Sequence, residues 1–204
     1  MYNIFWAIFI IIIIAFGLFI SIPYSTIGEK KYIIKKPFDK LLIVAHPDDE
    51  TLWGYHELQK NNGWKIICIT NANNPTRVAE ITSIAKHFGA ALEVWNFRDH
   101  YLNYNMHPKI YKELSDAINQ PNIKKVLTHN SLGEYGHIQH KKISQIVQTV
   151  SKKPTYVFSY TNNKKESEVC SLAKNYQSQY GIFLNNCTKN ANHKIYKVPI
   201  SKYS

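Results

Sequence analysis

Short apolar runs alternate with longer amphipathic stretches along most of this chain, and that alternation limits the fold more than any other feature. The runs are "KLLIVAHP" (40–47), "WKIICITNA" (64–72), "LEVWNF" (92–97), "KKVLTHN" (124–130) and "PTYVFSY" (154–160). Each has the length of a buried strand and ends at a turn or a polar residue. Between them lie segments with helical spacing at 48–62, 77–90, 107–120, 137–152 and 166–181. Gly63 lies beyond the first, Gly89 closes the second, and Pro108 stands near the start of the third, as helix boundaries require. Such alternation predicts an α/β domain with a mostly parallel sheet covered on both faces. A tail segment, "HKIYKVPI" (193–200), is a weaker strand candidate. In sheets of this kind the binding crevice lies beyond the carboxyl ends of the strands.

Two short motifs fall at that edge. "AHPDDE" (45–50) follows the first strand, and "GHIQH" (136–140) follows the fourth by one loop. His46 and Asp49 are three residues apart across a strand-to-helix turn whose start Pro47 fixes, so their side chains can converge on one point. His140 can add a third ligand from the second loop. Two histidines and one carboxylate leave an open coordination position, the pattern of a catalytic zinc, and the same set can hold ferrous iron. Asp48, between two ligands, is placed to take a proton from an attacking water. His137 is placed to stabilise an oxyanion or act as general acid. His129 and Asn130, ending the fourth run, are candidates to line the pocket. The competing interpretation is local. Asp48, Asp49 and Glu50 suit the positive end of a helix, and His137 and His140 suit its polar face.

The rest of the chain adds context. Residues 4–22 carry no charge, and a helix of that length reaches about 28 Å, close to the thickness of a hydrocarbon core. An uncharged start and a poor exit site favour a retained anchor over a cleaved signal. Lys30, Lys31, Lys35 and Lys36 after it predict a single-pass membrane protein with its domain on the cytoplasmic side. The expected organisation is a transmembrane anchor (1–24), a basic linker (25–38) and a catalytic domain (39–204). The net charge of +11 comes mostly from scattered lysines and favours anionic partners, but no nucleic-acid motif accompanies it. Three widely spaced cysteines without C-x-x-C indicate neither a disulfide framework nor a cysteine zinc site, and mildly favour a reducing compartment. Cys68 reads as a core residue.

"AHPDDE" followed by "TLWG", together with "GEYGHIQH", resembles the two signatures of the PIG-L/LmbE-type N-acetylglucosaminyl de-N-acetylases. "RVAE" (77–80) and "KNYQSQ" (174–179) are similar to two further family segments. The resemblance covers roughly residues 40–180. It implies a Rossmann-like three-layer sandwich, zinc, and hydrolysis of the acetamide of N-acetylglucosamine on a lipid or small aglycone. It also implies His46, Asp49 and His140 as ligands, Asp48 as base and His137 as stabiliser of the tetrahedral intermediate. Tyr135 matches an aromatic near the oxyanion, and Arg77 a position that reaches substrate. Two departures stand out: Ile138 and Gln139 between the second-motif histidines, and Trp53 before Gly54 where the family commonly has Gly-Gly. The expected partners are an N-acetylglucosaminyl lipid or conjugate and a membrane, without nucleic acid. A tethered sugar- or lipid-binding relative without catalysis, or an amide hydrolase on another small N-acylated substrate, are the alternatives.

Overall fold

The computed structural model describes residues 30–60, 62–97, 99, 108–159, 167–187 and 195–198. Seven strands form one sheet: β1 (Lys30–Ile34), β2 (Lys40–Val44), β3 (Trp64–Thr70), β4 (Ala91–Phe97), β5 (Lys125–Thr128), β6 (Thr155–Phe158) and β7 (Ile195–Val198). Their spatial order is β1-β4-β3-β2-β5-β6-β7. The five inner strands are parallel, and β1 and β7 close the two edges in antiparallel fashion. From β2 the chain steps outward through β3 to β4, then returns to the other side of β2 for β5 and β6. The direction of winding reverses between β2 and β5, and there the crevice of such a sheet opens.

The helices are α1 (Asp49–Leu52), α2 (Tyr55–Lys60), α3 (Pro75–His87), α4 (Pro108–Ile118), α5 (Ile138–Val150), α6 (Ser167–Ser171) and α7 (Tyr180–Cys187). Strand β2 shows why both sheet faces need covering, because side chains alternate across it and none of the apolar ones faces water. Leu41 and Ile43 join Ile67, Trp95, Leu114 of α4 and Ile143 and Ile146 of α5 on one face. Leu42 and Val44 join Ile66, Cys68, Val94, Leu58 of α2 and Ile81 of α3 on the other. A third cluster seats the C-terminal helices against α1 through Leu52, Val169, Tyr176 and Phe183.

Several sequence expectations need correction. The helix expected over 48–62 is two short helices. They meet at Gly54, where a Cβ would lie 2.6 Å from the Glu50 carbonyl oxygen and 2.9 Å from Leu42 Cδ2. The stretch expected as a linker contains β1, which pairs with β4. The helix expected over 166–181 is α6 followed by two 3-10 segments, Leu172–Asn175 and Gln177–Gln179, before α7. That double-back brings Cys170 and Cys187 together in a disulfide, 17 residues apart with Cα atoms at 5.3 Å, so the cysteines are not all reduced as expected. Cys68 is a buried free thiol.

The expectation of a single-pass membrane protein is also corrected: no helix among the described residues is long and apolar enough to cross a membrane. The apolar segment 4–22, on which that expectation rested, lies outside the described residues, as does most of the aromatic stretch 99–108.

Candidate metal centre

The first motif folds back on itself as it leaves β2. The backbone amides of Asp48 and Asp49 both reach the His46 carbonyl, at 3.1 and 3.3 Å. The His46 amide donates in turn to Asp49 Oδ2 at 2.9 Å. This closed turn sets His46 Nδ1 3.2 Å from the same carboxylate oxygen. The other ring nitrogen, Nε2, lies 2.7 Å from Gln139 Oε1 and 3.2 Å from Asp99 Oδ1. An amide oxygen can only accept, so Nε2 carries a proton, and Nδ1, turned to Asp49, is the nitrogen a metal would take in place of the second proton. Asp49 Oδ1 accepts a hydrogen bond from Trp53 Nε1 at 3.1 Å and lies 3.2 Å from His140 Nε2.

The second motif reaches the same point through a tightly wound loop. Asn130 Oδ1 accepts from the amides of Leu132 at 2.9 Å and Glu134 at 3.2 Å, and its Nδ2 donates to the Phe158 carbonyl at 3.0 Å. Gly133 has φ of 68° and Glu134 has φ of 56°, both left-handed. A Cβ on Gly133 would lie 2.4 Å from the His137 carbonyl oxygen, so the winding requires glycine there. The loop turns the Glu134 side chain into the protein, where its Oε2 meets His129 Nδ1 at 3.0 Å and His140 Nδ1 at 2.6 Å. His137 caps α5, and His140 sits buried in its first turn.

The residues present fit a metal ion. Among the described residues, ligand atoms of His46, His137 and His140, and of Asp49, His129 and His140, lie within 4.8 Å of one another. Also among the described residues, His140 Nε2 is buried without a hydrogen-bond partner beside the Asp49 carboxylate, an arrangement a protein rarely leaves unused. His129 is the member that does not fit: its Nε2 accepts the Ala45 amide at 3.0 Å and its Nδ1 is engaged by Glu134. That leaves His46 Nδ1, the Asp49 carboxylate and His140 Nε2 open to an ion, together with His137 Nδ1, which is likewise buried without a partner among the described residues. Two imidazoles and a carboxylate suit zinc or ferrous iron.

The electrostatics agree with a cation site. Burial opposes ionisation of Asp49, but His140 and His129 overcome it and hold the carboxyl well below its ordinary value. Burial likewise opposes charge on His46 and His140. The carboxylates outweigh it, Asp49 and Asp99 raising His46 to about 10, Asp49 and Glu134 raising His140 to about 9. Asp48 differs from its neighbour. Burial, and the negative charge of Asp49, push it up to about 7, against the pull of Arg77. His137 goes the other way, to about 4, through burial and the positive charge of His140 and His46.

The other expected residues divide. Tyr135 is half-exposed at the mouth, stacked on Trp53 at 6.0 Å and edge-on to His137 at 5.7 Å. Arg77, expected to reach substrate, is buried: it donates to the Pro47 carbonyl at 2.8 Å and lies 3.6 Å from Asp48. It braces the first turn. His129 and Asn130, expected to line the pocket, do not; His129 is fully buried and Asn130 spends its side chain on the loop backbone. Sequence reasoning missed Glu134, Asp99 and the positioning role of Trp53. A glutamate in "GEYG", flanked by residues that tolerate left-handed backbone, was the one available signal for Glu134.

Known proteins resemble this chain in sequence and in fold. The family described as GlcNAc-PI de-N-acetylase, PIG-L, matches residues 41–151. An uncharacterised protein of Acanthamoeba polyphaga mimivirus, L374, is 35% identical over 207 residues, covering 90% of this chain and 92% of that protein. Among solved structures, the conserved protein TT1542 from Thermus thermophilus superposes with a TM-score of 0.56 at 13% identity, covering 74% of this chain and 83% of that one. The N,N'-diacetylchitobiose deacetylase from Pyrococcus horikoshii gives 0.45 at 15% identity, covering 76% of this chain and 58% of that one.

Proposed function

The chain belongs to the GlcNAc-PI de-N-acetylase (PIG-L) family, and on that premise we propose that it is a metal-dependent hydrolase that removes the acetyl group from an N-acetylglucosaminyl conjugate. The observation that carries the reading is the placing of His46 Nδ1 and of the buried, unpartnered His140 Nε2, from two motifs about 90 residues apart, each 3.2 Å from an oxygen of the Asp49 carboxylate. N-acetylglucosaminyl-phosphatidylinositol, or a related glycolipid, is the substrate class that the family description favours.

His46, Asp49 and His140 would hold zinc, with ferrous iron the alternative. When bound, such an ion polarises the acetyl carbonyl and acidifies water. The protein supplies the rest. Asp48, brought near 7 by burial and by Asp49, is matched to accept the proton of the attacking water at neutral pH. The carbon–nitrogen bond then breaks, and the amine nitrogen leaves with a proton returned to it. His137, neutral at pH 7, donates a hydrogen bond to the developing oxyanion rather than serving as a full acid. Tyr135 and Trp53 form an aromatic wall at the mouth, where a sugar ring can rest on them.

The test is acetate release from a panel of N-acetylglucosaminyl lipids and conjugates, with metal content measured alongside. Wild-type protein should release acetate from at least one of them. Asp48→Asn should keep the ion and lower kcat by roughly 10²–10⁴ with KM little changed, since a positioned base contributes on that order. Equal binding by both proteins, with acetate released by neither, would favour the binding-only alternative.

A further inference from the structure

One buried carboxylate joins the two motifs. His129 Nε2 accepts the amide of Ala45, the residue before His46, at 3.0 Å. That nitrogen therefore bears no proton, and the proton of neutral His129 lies on Nδ1, donated to Glu134 Oε2 at 3.0 Å. The same oxygen accepts from His140 Nδ1 at 2.6 Å, and Oε1 accepts the Asn130 amide at 2.9 Å. With His140 Nδ1–H held in this way, its Nε2, 3.2 Å from Asp49 Oδ1, is the nitrogen left to bind an ion. The His129 and His140 rings stack at 3.9 Å, which keeps both in the plane that the shared oxygen can serve.

We propose that Glu134 is a positioning residue for the metal centre: it fixes the tautomer of His140 and, through His129, ties that ligand to the backbone of the first motif. The inference rests on the metal reading of the site but not on the identity of the substrate. Outer partners of this kind set ring orientation and ligand basicity, and losing one typically costs 10–100-fold in metal affinity. Glu134 is suited to the role because, among the described residues, its carboxylate has no competing partner outside this chain of bonds, and its backbone is wound into place by Gly133. His129 contributes stacking and two hydrogen bonds but no ligand atom.

The experiment uses the full chain loaded with zinc. Zinc titration of the wild type and of Glu134→Gln should show one ion per chain in each, with the dissociation constant raised at least tenfold in the variant. The apparent unfolding midpoint of the metal-free proteins tells whether folding accounts for the change. His129→Phe, which keeps the stacking and the Glu134–His140 bond but leaves the Ala45 amide without its acceptor, should raise the dissociation constant less than Glu134→Gln does; an equal or larger rise would place the tie to the first motif, not Glu134, in the leading role. A second measurement needs no variant: nitrogen NMR of the wild type loaded with cadmium-113 should show coupling to His140 Nε2 and a slowly exchanging proton on Nδ1. Zinc binding by Glu134→Gln within threefold of wild type, or coupling to Nδ1 instead, overturns the proposal while leaving the de-N-acetylase reading intact. Wild-type protein that takes up no ion overturns both.

Discussion

Glu50 and Glu134 come from the two motif segments that build the candidate centre, both buried, and they hold their protons in opposite ways. Glu50, the last residue of the first motif, faces Tyr176 from the C-terminal segment, the hydroxyl of its neighbour Thr51, and the amide of Asp48 at 3.0 Å. None of these partners carries positive charge. Burial, helped by the charge of Asp48, pushes its carboxyl up to about 8. Burial presses on Glu134 in the same direction. Two imidazoles and a backbone amide reverse it and bring the carboxyl down to about 2. Depth alone thus decides neither case. What decides is the charge alongside: the Asp48 and Asp49 carboxylates beside Glu50, and the His140 imidazole, protonated in the metal-free protein, beside Glu134. Glu50 belongs to a neutral hydrogen-bonded wall, and Glu134 to a charged clamp.

The sharpest way to break this contrast is to make each glutamate neutral. Glu134→Leu leaves two imidazole N–H groups and an amide without an acceptor, and should cost about 3–5 kcal/mol in a urea titration, as the loss of one member of a buried ionic set does. A cost below about 1 kcal/mol, the range of an ordinary hydrogen bond, would mean that the clamp is not ionised.

The wall depends on the C-terminal helices, because Tyr176 lies inside the loop closed by the Cys170–Cys187 disulfide. Cys170→Ser with Cys187→Ser should cost about 3 kcal/mol, the effect expected for a loop of this length. Equal melting of the wild type with and without reductant would show that the bridge contributes nothing. Tyr176→Phe should cost less, about 1–2 kcal/mol, since it removes one hydroxyl that Glu50 shares with Thr51, the latter at 2.6 Å. If it costs more than the double cysteine change, the hydroxyl and not the bridge holds the wall.

The smallest effect should come from Glu50→Gln. An amide can accept from the Asp48 amide and donate towards Tyr176, much as the protonated acid does, so stability near pH 4, where folded and unfolded chains both keep the proton, should change by less than about 1 kcal/mol. Its pH dependence sharpens the comparison further. A carboxyl raised from 4.5 to about 8 binds its proton in the folded state while the unfolded chain has lost it, so the wild type loses stability relative to Glu50→Gln as pH rises between these values. For Glu134 the sign is opposite. Its folded value lies below 4.5, so its contribution is present above that pH and is lost on acidification towards about 2. Difference curves for Glu50→Gln and Glu134→Gln should therefore slope in opposite directions. Parallel slopes would show that the two carboxyls share one protonation state.

The inner sheet and both motifs were legible because each is written locally: five apolar runs, a turn with Pro47, and ligand types at short spacing. His46, Asp49 and His140 meet because β2 and β5 pair side by side, and strand–helix alternation already implies that edge. The supports were not legible. Glu134 serves His129 and His140 only because Gly133 winds the loop, and left-handed backbone leaves little trace in a string of letters. Tyr176 reaches Glu50 across 126 residues, and no local pattern encodes that contact. Strand β1 looked like linker because its lysine-rich start breaks the apolar pattern of the inner runs, and as an edge strand it is held by β4 alone. Arg77 was assigned to substrate from family position, but the buried turn at Pro47 claims its guanidinium.

The side-by-side pairing of β2 and β5 also orders events in time. Lys40 lies opposite Trp64 on one side and Lys125 on the other, separations of 24 and 85 residues (64 − 40 and 125 − 40). As the chain leaves the ribosome, β2, β3 and α2 can collapse together early, presenting His46 and Asp49 at the rim of a half-built sheet. The ring of His140, its anchoring carboxylate and the brace from His129 all arrive in a single later stretch, 129–140. Until that stretch docks, the nascent protein would offer an ion only His46 and Asp49 and no enclosure, so on the proposed reading metal capture waits for β5 and the loop that follows it.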